Sequence, residues 1–313
     1  MKGMIVKMEE IKIFGHKNPD TDTIMSSLVV EDLENQAGHN KVKAYRLGNL
    51  NKETEFALNY FKVQAPELLE KVEEGQKVML VDHNEFSQSV DGIEKAKIIR
   101  VVDHHKIANF QTSEPLFYTA MPVGCTSTIL YDMYKINNME ISATVAGLML
   151  SAILSDTLLL KSPTCTQKDV EVANDLAKIC GVDINTYGLE MLKAGTDLSD
   201  YSPEELINID SKSSTVKGVK YQVAQVNTAC IDDVMKDKEA IEKAMKDFMN
   251  ENSVDLFIIM ITDIIENNSQ IIVLGKQEVA EKAFNIKLEN NTAFLPGVVS
   301  RKKQIVPQID SVL

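Results

Sequence analysis

Short apolar runs alternating with helical stretches predict an α/β protein: an N-terminal parallel-sheet domain with helices on both faces, followed by a smaller C-terminal α/β domain. Three observations carry this. The runs Ile11–Phe14, Lys77–Val81 and Ile98–Val102 are rich in β-branched residues and too short for helices. Each is followed by a cluster of Asp and His, as expected where parallel strands end at a ligand-binding edge. The stretch Gly195–Pro203 is rich in small, polar and turn-forming residues and divides the chain into residues 1–194, a linker 195–203 and residues 204–313.

In order along the chain, Ile11–Phe14 reads as a strand, Asn18-Pro19-Asp20 as a turn, and the residues after Asp22 as the start of a buried helix. Lys41–Tyr45 is the next strand and Asn51 to about Phe61 the next helix. The strands Lys77–Val81 and Ile98–Val102 follow, with Leu116–Tyr118 as an edge strand. Helical patterns then cover Gly124–Tyr134, Ile141–Leu154, Thr166–Ile179 and Ile184–Lys193. Beyond the linker, Val219–Val226, Asp255–Ile261 and Ile271–Leu274 read as strands, and Asp232–Asn250 and Val279–Phe284 as helices.

A length of 313 residues allows two domains with their own cores, and 44% hydrophobic with 25% charged residues is an ordinary globular composition. The four cysteines form no Cys-x-x-Cys pair, so neither a zinc knuckle nor a disulfide framework is expected, and reduced thiols point to a cytoplasmic setting. No secretory leader pattern opens the sequence. Ile141–Leu160 is nearly apolar enough for a membrane span but contains Ser142, Thr144, Ser151, Ser155 and Asp156, which favours a buried helix. A net charge of −13 argues against general nucleic-acid binding, which requires a basic surface. An anionic substrate must therefore be received locally.

The chemistry concentrates at the strand ends. His16, Asp20 and Asp22 follow the first strand, Asp82 and His83 the third, and Asp103, His104 and His105 the fourth. Four of the five histidines thus fall on one predicted edge, His39 alone lying elsewhere. Asp156 closes an apolar helix, where an unpaired buried carboxylate would be costly. Capping of the local turns is the simpler alternative for Asp20, Asp22 and Asp156. Imidazoles and carboxylates without thiolate suit Mn²⁺, Co²⁺ or Fe²⁺, and Zn²⁺ less specifically. There are more ligands than one ion needs. Two ions roughly 3.5–4 Å apart would clamp a phosphoryl group and turn water into hydroxide near neutral pH. Four aspartates already neutralise two divalent ions, so the substrate's own charge needs further cations. Ser300-Arg301-Lys302-Lys303-Gln304 is a basic run placed after a Pro-Gly turn.

These residues resemble a family II inorganic pyrophosphatase of the Asp-His-His phosphoesterase superfamily. The resemblance spans the chain and rests on Gly15–Asp22, Leu80–Asn84, Val102–His105, Ser155–Thr157 and Ser300–Gln304. It implies that His16 and Asp20 hold one metal, Asp22, His104 and Asp156 the second, and that Asp82 bridges them. It further implies that His105 contacts substrate and polarises the leaving phosphate, with Asp103 and His83 as supports. Arg301 and Lys302 would bind the phosphates, together with Ser300 and Lys212, although the surroundings of Lys212 carry only a weak motif. The implied activity is hydrolysis of pyrophosphate to two phosphates by a metal-bridging hydroxide. The implied cofactors are two Mn²⁺ or Co²⁺ per subunit, with Mg²⁺ accompanying the substrate. A homodimer through the N-terminal domains and an active site completed in the interdomain cleft are implied as well. An exonuclease of the same superfamily is disfavoured by the absence of Trp and by Ser-Arg-Lys-Lys-Gln in place of a Gly-rich motif. A short-chain polyphosphatase and a non-catalytic metal sensor are the remaining alternatives.

Overall fold

The computed structural model describes residues 10–39 and 41–313, which form two compact units that meet between Gly195 and Thr196 in the sequence. In the first, β1 (Ile11–Phe14), β2 (Val42–Arg46), β3 (Glu67–Leu68), β4 (Lys77–Val81), β5 (Lys97–Asp103) and β6 (Phe117–Ala120) form one sheet. Its order is β3-β2-β1-β4-β5-β6, and every pairing is parallel. Chain direction across the sheet reverses between β1 and β4. At such a switch point the loops after neighbouring strands diverge and leave a crevice at their carboxyl ends.

Helices lie on both faces, but unequally. Six of them, α1 (Thr21–Gln36), α2 (Lys52–Tyr60), α3 (Thr126–Ile136), α4 (Ala143–Asp156), α5 (Gln167–Cys180) and α6 (Ile184–Gly195), share one core with Ile13, Met79, Val81 and Val102 of the sheet. The alternate residues Phe14, Val78, Leu80 and Val101 face the other way. There the cover includes two one-turn 3-10 helices, Phe86–Gln88 and Ile93–Lys95. Period-two alternation in strands buried on both sides explains why these runs are almost wholly apolar.

The apolar stretch read as a buried helix is α4. Ser142 caps its start by accepting from the Val145 N–H at 3.2 Å, and Ser151 is satisfied by the Gly147 carbonyl at 2.7 Å and Tyr187 Oη at 2.5 Å. Among the described residues no helix is long and apolar enough to cross a membrane. Immediately after α4, Leu158, Leu159 and Leu160 all take left-handed φ values of 45°, 57° and 63°. Each such residue costs about 1–2 kcal/mol of backbone energy for a side chain with a Cβ. Leu159 and Leu160 offset part of that by packing on the core.

The second unit is built on a mixed sheet, β11-β10-β9-β8-β7. It comprises β7 (Ser211–Val216), β8 (Val219–Thr228), β9 (Leu256–Asp263), β10 (Asn268–Gly275) and β11 (Thr292–Pro296), only the β8–β9 pair being parallel. Beside these strands lie α7 (Pro203–Leu206), α8 (Ile231–Met235), α9 (Lys238–Asn252), α10 (Gln277–Phe284) and α11 (Val306–Val312). The sequence reading misses both edge strands, β7 and β11. It also joins α8 and α9, which separate where the Asp237 N–H bonds back to the Val234 carbonyl at 3.2 Å and tightens the turn. The β7–β8 hairpin turns on Lys217 and Gly218, both with positive φ, as a two-residue hairpin loop requires.

Candidate metal centre

Seven of the residues singled out in the sequence meet at the carboxyl edge of β1, β4 and β5. His16 lies in the loop after β1, and His16 Nε2 is 3.3 Å from Asp20 Oδ2 and 3.5 Å from Asp82 Oδ2. On the far side of Asp82, His104 Nε2 is 3.3 Å from its Oδ1, 3.7 Å from Asp156 Oδ2 and 4.0 Å from Asp22 Oδ2. Two sets of donors therefore share one carboxylate. His16, Asp20 and Asp82 can converge on one cation, and Asp22, Asp82, His104 and Asp156 on another, the donor atoms of each set lying within 4.8 Å of one another. His105 also clusters with Asp82 and His104.

Local structure explains how each donor is aimed. Asp20 is the N-cap of α1: its Oδ1 accepts from the Thr23 N–H at 2.9 Å while its Oδ2 faces His16, so capping leaves the second oxygen free to face a cation. Asp22, in the first turn of α1, is fully buried and accepts from Ser26 Oγ at 2.6 Å and the Thr126 N–H at 2.8 Å. Asp82 follows β4 with φ 57°, a left-handed bend that Asp tolerates better than most residues. Its oxygens are fixed separately, Oδ2 by Thr23 Oγ1 at 2.7 Å and Oδ1 by Thr126 Oγ1 at 3.1 Å. Asp156 is the last residue of α4. His104 donates from Nδ1 to the Val123 carbonyl at 3.0 Å, which leaves Nε2 free as a ligand. His105 is held by Asp103, whose Oδ1 accepts from both its backbone N–H and its Nδ1 at 3.0 Å. His83 instead turns its ring to the Val81 carbonyl and Ser89 Oγ, and so steadies the strand end rather than a donor imidazole.

Several supports carry no sequence signature. Thr23, Ser26 and Thr126 are hydroxyl residues whose partners are set by the fold. Buried Asp169 accepts from Gly124 N–H at 2.9 Å, Thr128 Oγ1 at 2.6 Å and Thr166 Oγ1 at 2.6 Å, which anchors the turn leading to Thr126. A Cβ on Gly124 would lie 2.8 Å from Asp169 Oδ2, so only glycine fits there.

The electrostatics of the cluster suit a cation. Burial opposes charge on His16 and His104, yet the facing carboxylates outweigh it and push their pKa values up to about 10 and about 9. Burial, reinforced by Asp82, pushes Asp22 up to about 6, and burial with Asp22 and Asp82 pushes Asp156 well above the usual carboxylate range. Asp82 is also penalised by burial, but its two histidine partners hold it below that range. Protons thus gather where divalent ions would otherwise compensate the charge, and the nitrogen and oxygen donor set fits such ions. The stability that protonated His16 and His104 lend the metal-free fold is complete below pH 6.5 and lost as pH rises through about 9 and 10. The metal-free protein is therefore expected to melt at lower temperature at pH 10 than at pH 6.5. Mn²⁺ binding at pH 7.5 should release protons, read by calorimetry in buffers of different ionisation enthalpy, and proton-neutral binding would contradict this picture.

The basic residues belong to the second unit. Ser300 caps a five-residue π-helical turn, Arg301–Ile305, and Gln304 Oε1 ties that turn to the Val299 and Ser300 N–H groups at 2.9 and 3.0 Å. Arg301 pairs through Nη2 with Asp210 Oδ1 at 2.6 Å, while its buried Nε has no partner among the described residues. Lys302 is exposed, as is Lys212 on β7.

Comparison with known proteins places this arrangement. Residues 10–153 match the DHH family N-terminal domain and residues 189–312 the DHHA2 domain. The chain is 54% identical to a Staphylococcus epidermidis protein named "Probable manganese-dependent inorganic pyrophosphatase", and 53% identical to the manganese-dependent inorganic pyrophosphatase of Bacillus subtilis. Each alignment covers 98% of this chain and 99% of the relative. A Methanococcus jannaschii crystal structure titled "putative family II inorganic pyrophosphatase" matches with a TM-score of 0.61 at 41% identity, over 96% of this chain and 99% of that one. With this identity over nearly its whole length, the chain belongs to the family of manganese-dependent, or family II, inorganic pyrophosphatases.

Proposed function

We propose that this chain hydrolyses inorganic pyrophosphate to two phosphates at a two-metal centre. The observation that carries the reading is Asp82, with one oxygen facing the His16 group and the other the His104 group. In this reading His16 and Asp20 hold one ion, Asp22, His104 and Asp156 the second, and Asp82 bridges both. When bound, Mn²⁺ or Co²⁺ ions supply hydroxide as nucleophile at neutral pH and a clamp on phosphoryl oxygens. Thr23 and Thr126 orient the bridging carboxylate, and the Val123 carbonyl keeps the His104 Nε2 lone pair available. The hydrogen bond to Asp103 raises the pKa of His105 and fixes its ring orientation, which suits it to contact the substrate and polarise the leaving phosphate.

Arg301 and Lys302 neutralise the substrate's remaining charge, with Ser300 and Lys212 contributing to binding. Mg²⁺ carried in with the substrate, association of two copies through their first units, a linker at residues 195–203 and a cytoplasmic setting complete the reading. The test is phosphate release by the metal-stripped protein after adding Mn²⁺, Co²⁺, Zn²⁺ or Mg²⁺, with pyrophosphate, tripolyphosphate and a dinucleotide as substrates. Highest turnover is expected with pyrophosphate and Mn²⁺ or Co²⁺. Turnover confined to tripolyphosphate or the dinucleotide would replace the substrate.

A further inference from the structure

Glu53 belongs to none of the donor groups, yet it joins the two helix ends that carry three of the donors. It stands in the first turn of α2, where its Oε1 accepts from Thr21 Oγ1 at 2.6 Å and also from Ser155 Oγ. Thr21 lies between Asp20 and Asp22, and Ser155 immediately precedes Asp156. A single carboxylate oxygen therefore bonds to the start of α1 and to the end of α4. Thr54 Oγ1, 3.1 Å from Thr21 Oγ1, fills the buried side of the junction. Gly195, the last residue of α6, closes it: a Cβ there would lie 2.8 Å from Glu53 Cβ and 3.0 Å from its Oε2.

Such a junction answers a definite need. Asp22 and Asp156 come from different helices, α1 and α4, yet both belong to one donor set with Asp82 and His104. Their relative placement therefore needs something outside the donor set to hold the start of α1 against the end of α4. Hydroxyls bonded to a common acceptor do so without occupying any donor oxygen. We infer that Glu53 is a positioning residue of the metal centre, which through Thr21 and Ser155 holds Asp22 and Asp156 at a separation suited to the second ion. This inference rests on the two-metal reading proposed above.

The experiment is a calorimetric Mn²⁺ titration of the metal-stripped full chain, with circular dichroism to establish folding of each variant. Glu53→Ala is expected to weaken Mn²⁺ binding about 10–100-fold, the range typical of residues that orient metal ligands. Glu53→Gln keeps an oxygen acceptor at the junction and is expected to stay within about threefold of the wild type. Ser155→Ala removes one arm and should weaken binding about tenfold. The double variant Glu53→Ala/Ser155→Ala should bind no more weakly than Glu53→Ala, because the Ser155 hydroxyl acts through Glu53. Should Glu53→Ala fail to fold, Ser155→Ala and Glu53→Gln still decide the matter. Wild-type affinity in Ser155→Ala, or additive losses in the double variant, would overturn the inference. A wild-type chain that binds fewer than two Mn²⁺ would instead overturn the two-metal reading itself.

Discussion

Asp82→Asn is expected to reduce pyrophosphate turnover by about 10³-fold or more and to leave fewer than two Mn²⁺ bound per chain. Residues that merely orient a ligand cost about 10–100-fold in affinity when lost. Asp82 belongs to both donor sets, so its loss weakens two ion positions together. Asn is the informative replacement because it accepts the left-handed bend at position 82 as readily as Asp does, so charge is removed without disturbing the backbone. The same substitution takes away the carboxylate that raises the pKa values of His16 and His104. Mn²⁺ binding to this variant at pH 7.5 should therefore release fewer protons than binding to the parent chain. Steady-state phosphate release and calorimetric stoichiometry read the two effects separately, and two ions bound at parental affinity would refute the bridging assignment.

Arg301→Lys is expected to lower kcat/KM for pyrophosphate by about 10²-fold, and Arg301→Ala by about 10³-fold, with Mn²⁺ affinity unchanged. Lys carries the same charge but lacks the planar fork that engages two phosphate oxygens. Asp210 already holds one end of the guanidinium, which limits the orientations it must search. Parental kcat/KM in the lysine variant would mean that Arg301 supplies only charge, and a fall in Mn²⁺ affinity would place its role elsewhere.

How much of this was legible in the chain varies by level. The gathering of His16, Asp82 and His104 followed from three apolar runs, each ending in His or Asp, because parallel strands all present their carboxyl ends to one edge. Strand order was not legible. The pairing of β1 with β4 is non-local, and nothing near Phe14 or Val81 specifies it. Thr23, Thr126, Glu53 and Asp169 escaped notice for a related reason. A hydroxyl or a carboxylate acquires its role from a partner brought close by folding, as Thr23 does from Asp82 and Thr128 from Asp169. The edge strands β7 and β11 lie half in water, and Ser211–Val216 is too polar to show the apolar signature of the buried strands. The break between α8 and α9 falls in Lys236-Asp237-Lys238, good helix-compatible sequence in which backbone hydrogen bonding rather than residue type sets the boundary.

In the two-metal reading proposed above, the three consecutive left-handed leucines after Asp156 bear on the thermodynamics of ion capture. A glycine at any of these positions would adopt the same backbone angle freely, but it would adopt many others as well. Leu159 and Leu160, held in this conformation by packing on the core, leave the end of α4 few alternatives. The entropy lost in ordering Asp156 is thereby charged to folding and not to the arrival of the ion. A chain with glycines in this turn would have to fix that carboxylate at each binding event, so its affinity would be more entropically opposed even though every donor atom were retained.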